Sequence, residues 1–121
     1  MPEFLGTVVQ SSAMAHDAIR GLAAASTFRE LPLPVVGEIL ENLEGASNGL
    51  PKVLDNLGES LVFFLAADFQ PWVTEGDDQR EHIAIAQTHL HLAASLAVQL
   101  GRELSNAKSA IAGVNPEASM L

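Results

Sequence analysis

Four histidines are the residues of this chain best suited to chemistry near neutral pH, and their spacing limits what they can do. His82 and His89 stand seven residues apart, which places them on one flank of a helix, whereas His91 falls on a different face. Neither the His-x-x-x-His spacing of zinc helices nor the Glu-x-x-His pair of bundle-borne di-metal sites occurs. No metal site is encoded locally. A ligand or metal site would need His16, His82 and His89 to converge from different helices, and an interfacial or partly buried polar role is the simpler expectation.

Gly45-Ala46-Ser47-Asn48-Gly49 matches the Gly-x-Ser-x-Gly pattern of hydrolase nucleophile elbows, which needs a strand entering the turn and a helix leaving it. Here a helix enters, so Ser47 is expected to be a turn and capping residue. The carboxylates of Glu75, Asp77, Asp78 and Glu81 crowd one segment without the alternation and central glycine of a calcium loop, and they read as the acidic start of a helix. Glu38, Glu41 and Glu44 read as a solvated face that a basic partner surface would complement. Cysteine is absent, and so is any phosphate-cradling glycine motif. The chain is expected to use no cofactor and not to be an enzyme.

Charge narrows the partners. The net charge of −9, from 15 acidic and 6 basic residues, repels phosphate backbones and anionic membrane surfaces, and the six cations gather into no stripe. The N-terminal segment lacks the basic-then-apolar order of an export signal, its first cation being Arg20. Leu61 to Ala67 is the longest purely apolar run, far short of the roughly 20 residues that span a bilayer. The expectation is a cytoplasmic protein that binds neither nucleic acid nor membrane.

What must position these residues is a set of helices. The apolar content of 48% is carried by Ala, Leu, Val and Ile, with no Tyr and one Trp. Apolar residues recur at Leu5, Val8, Val9, Ala15, Ile19, Leu22 and Ala23, predicting a first helix over 3–25. Pro32 and Pro34 then mark a connector with Phe28 and Leu31 turned inward. A second helix is predicted over 34–45, with Val36, Ile39, Leu40 and Leu43 on one face. Ser47 or Asn48 would cap a third over 49–67, with Pro51 in its first turn and Val53, Leu54, Leu57, Leu61, Phe64 and Leu65 in period. Pro71 and Trp72 fall in a second connector, and Thr74 with Asp77 is placed to cap a fourth helix over 77–113, followed by a tail over 114–121.

The fourth helix carries the clearest pattern. Ile83, Leu90, Ala97, Leu104 and Ile111 recur every seven residues, and Ala86, Ala93, Leu100, Ala107 and Val114 form a second series offset by three. Five heptads amount to roughly 55 Å of helix, more than the first helix can cover. Other helices, or a second copy, must bury the rest. The expected architecture is a single-domain, all-α antiparallel bundle of about four helices. The expected role is that of an interaction protein, a possible homodimer or a docking site for another helical protein along the seam of Ile83, Ala86, Leu90, Ala93, Ala97, Leu100, Leu104, Ala107 and Ile111. The alternative is a small-ligand or metal-binding bundle, or minor enzyme, with an inter-helix cavity near His82 and His89.

A resemblance runs through the same positions. Arg20 and Leu22, Leu31 through Pro34, Val36 with Ile39, Leu40 and Leu43, Leu50-Pro51 with Leu54 and Leu57, and Ala110-Ile111-Ala112-Gly113 look like a group of small uncharacterised helical proteins common in actinobacterial genomes, often among plasmid-like or integrated-element genes. These positions cover most of residues 20–113, and all are structural. The resemblance implies a helical fold with no assigned activity and carries over no functional residue. Phe63-Phe64 and the histidines of the fourth helix depart from it.

Overall fold

The computed structural model describes the backbone of residues 3–27, 30–67 and 76–114, and every regular element among them is an α-helix. The chain divides into two units, Met1–Pro32 and Leu33–Leu121. The first holds α1, Glu3–Ala25. Its end is closed by Ser26, whose backbone N–H donates to the Leu22 carbonyl at 2.8 Å, and by Thr27, whose hydroxyl donates to the Ala24 carbonyl at 2.9 Å. Phe28, Pro71, Trp72, Thr74, Glu75 and Pro116, to which connector, capping and tail roles were assigned above, lie outside the described residues.

The second unit holds α2, Leu33–Ala67, and α3, Gly76–Ala112. The described residues therefore form three helices, and the expectation of four is corrected: the helices expected over 34–45 and 49–67 are one, and Gly45 to Pro51 lies inside it. Locally this is costly, since two interior glycines sacrifice roughly 1 kcal/mol each and an interior proline about 3. Burial supplies the compensation. Leu33, Leu40, Ser47, Leu54 and Leu61, interleaved with Gly37, Glu44, Pro51, Gly58 and Leu65, are all buried or half-buried, an unbroken 3.5-residue repeat that a helix break would throw out of register. Ser47, expected at a turn, is only 2% exposed, and its hydroxyl donates to the Glu44 carbonyl one turn back, at 2.8 Å.

α3 lies antiparallel to α2. Gln87 Nε2 donates to the Gly58 carbonyl at 3.4 Å, Gly101 faces Ser47 and Asn48, and Lys108 Nζ lies 3.3 Å from Glu44 Oε2, so residue numbers fall along one helix as they rise along the other. Small residues allow the approach. Ala94, Ala97 and Gly101 are buried against α2, and a Cβ at Gly101 would sit 2.8 Å from Asn48 Oδ1 and 3.1 Å from Ser47 Oγ.

Candidate interaction surface

The seam between α2 and α3 uses only part of the apolar pattern. Ile83, Leu90, Ala97, Leu104 and Ile111 are all half-buried or buried. The series interleaved with them is Gln87, Ala94, Gly101 and Lys108, offset by four residues, where an offset of three was expected. Of the expected second series, Ala86 and Ala93 are half-buried, but Leu100, Ala107 and Val114 are exposed. Helical geometry accounts for this. A strict seven-residue series drifts by about 20° per heptad on a straight helix, which carries the later members of the offset-by-three series away from α2 while the offset-by-four series turns toward it.

A second apolar stripe is left partly uncovered on each helix. On α2 it runs through Val36, Leu43, Leu50, Leu57 and Phe64, with Ile39 and Val53 between them; Leu50, Val53, Leu57 and Phe64 are exposed by 42–51%. On α3 it runs through Ala86, His89, Ala93, Leu96 and Leu100, with Leu96 exposed by 65%. Each stripe lies about 100° from its helix's seam, in the same rotational sense about the chain direction. Because the helices run in opposite directions, equal rotations bring both stripes to the same side of the pair. The result is one apolar face, free of charge on α2 and, on α3, from His82 through Gly101.

Polar groups lie elsewhere or stand apart. Lys108 and Glu44 pair across the seam with their side chains 36% and 21% exposed, and Glu44 Oε2 has no hydrogen-bond partner, so the contact is one of charge. His16, His82, His89 and His91 are exposed, and among the described residues no three His, Asp or Glu side chains come together as a metal would require. An open groove of about 340 Å³ lies at the end formed by Leu33, Pro34, Gly37, Lys108 and Ile111, far along α3 from His82 and His89. Ser47 faces Gly101, with neither strand nor histidine beside it in the hairpin register, so it has none of the surroundings of an elbow serine.

α3 is the one described helix long and apolar enough to cross a membrane, its most apolar 18-residue window having a mean hydropathy of 1.2. Isolated-run length missed this, because Gln87, Thr88, His89 and His91 interrupt the apolar residues without adding formal charge. The chain matches no protein-family model, no curated protein and no solved structure.

Proposed function

We propose that this chain is a non-enzymatic helical interaction protein that self-associates through the uncovered face of the α2–α3 pair. The observation that carries this is the row of large apolar side chains left in water on one side of that pair, Leu50, Leu57, Phe64, Leu96 and Leu100 among them. Large apolar side chains exposed in a contiguous row mark surfaces that pack against another molecule. The docking surface is this flank rather than the Ile83 series, which α2 already covers. Two antiparallel helix pairs placed face to face make a four-helix bundle, with two of its helices coming from a second copy.

Water, and within it the cytoplasm, is the proposed setting. In the antiparallel register the apolar window of α3 runs beside the stretch of α2 that carries Lys52, Asp55 and Glu59, charges that resist transfer into hydrocarbon. The net charge of −9 disfavours nucleic acid as the partner. Sedimentation velocity across the micromolar range tests the proposal: the expected species has twice the chain mass of 12.8 kDa, and a single 12.8 kDa species throughout refutes it.

A further inference from the structure

Resting on that reading, we infer that the occupant of the face is a second copy of this chain, related by a two-fold axis that lies in the interface and crosses both helices at the level of Leu50 and Leu96. An isologous contact requires each surface to be its own complement under that rotation. On α2, reversal about Leu50 brings Leu43 opposite Leu57 and Val36 opposite Phe64, each pair equidistant from the centre. On α3, reversal about Leu96 brings His89 opposite Glu103, seven residues to either side.

The two centres also coincide in height. Gln87 meets Gly58 and Gly101 meets Ser47, so interpolation between these contacts places Leu50 beside the Leu96 turn. One axis thus serves both stripes, which two unrelated apolar rows would not require. It sets α2 against its copy and α3 against its copy, every neighbouring helix antiparallel. Glu103, the carboxylate on the α3 stripe, then meets His89 of the second copy, whereas a two-fold along the helices would set it against the apolar stripe of the second copy's α2.

Size agrees with this occupant. Val36 to Phe64 spans roughly 42 Å at about 1.5 Å per residue, and two helices side by side are about 20 Å wide. The footprint is on the order of 800 Å² per copy, what a stable protein–protein interface covers on each partner.

The chain has no cysteine, so single cysteines introduced into the full-length protein report the geometry directly. Leu96→Cys should form a covalent dimer on oxidation or with a short thiol-reactive linker, Val98→Cys on the opposite face should not, and His89→Cys should link to Glu103→Cys in a mixture of the two variants. Leu50→Glu with Leu96→Glu should halve the native mass while leaving the helical circular dichroism in place, since both residues already face water in the single chain. A dimer that survives both glutamates, with no covalent linkage in the Leu96→Cys variant, overturns this geometry but leaves self-association standing. A wild-type monomer at tens of micromolar overturns both, and co-sedimentation of that monomer with neutral phosphatidylcholine vesicles assigns the face to lipid.

Discussion

Among the described glycines, Gly101 is the one at which the two helices of the hairpin leave least room. An added methyl would stand 2.8 Å from Asn48 Oδ1, the end of an exposed side chain that can swing away, and 3.1 Å from the Ser47 hydroxyl, which is buried and bonded. Gly101→Ala should therefore be close to neutral, a helix-propensity gain of up to about 1 kcal/mol offsetting the displaced amide. Gly101→Leu should lower stability by roughly 1–3 kcal/mol in urea unfolding, because Ser47 cannot yield in the same way. The Lys108–Glu44 pair makes a different prediction. Lys108→Ala strands a buried carboxylate oxygen of the partly exposed Glu44 and should cost about 1–2 kcal/mol, less at high salt, whereas replacing both residues with leucine should restore or raise stability. Its position on the seam gives the pair a role in register, since sliding α3 by one heptad would set Lys108 against Gly37 or Pro51, neither of which carries a charge.

At the scale of the elements, α2 is where sequence and structure part. Gly45, Gly49 and Pro51 are local punctuation, and each argues for a break. What overrides them is the series Leu40, Ser47, Leu54 and Leu61, which is hidden because its most buried member is a serine. If Pro51 sits inside one continuous helix, Pro51→Ala restores a backbone donor for the Ser47 carbonyl and should stabilise the protein by about 1–3 kcal/mol, seen as a higher thermal midpoint. If Pro51 opened a separate helix, the same substitution would be neutral or harmful. The all-α class was readable because aliphatic helix-formers recur at helical spacing and the interiors of α1 and α3 contain no proline. The face that α3 gives to α2 was only half readable. Hydrophobicity favours Ala86, Ala93, Leu100 and Ala107, yet close approach of two backbones selects Gln87, Ala94, Gly101 and Lys108, where small size and matched polarity count for more than apolar area.

At the scale of the whole molecule, two helices packed side by side cover only one stripe of each other. Among the described residues the buried apolar side chains are Ala94 and Ala97, and no large side chain is fully enclosed. A pair of long helices with so little interior would be stabilised by anything that closed over the remaining face. If that is a second copy, folding and association are linked, and the thermal midpoint should rise as protein concentration is raised from the low to the high micromolar range; a midpoint independent of concentration would speak for a self-sufficient monomer. The most direct measurement is light scattering on the full chain beside its Leu50→Glu, Leu96→Glu variant. The wild type should weigh twice 12.8 kDa and the variant 12.8 kDa with its helices intact; equal masses for the two would contradict the assignment of this face.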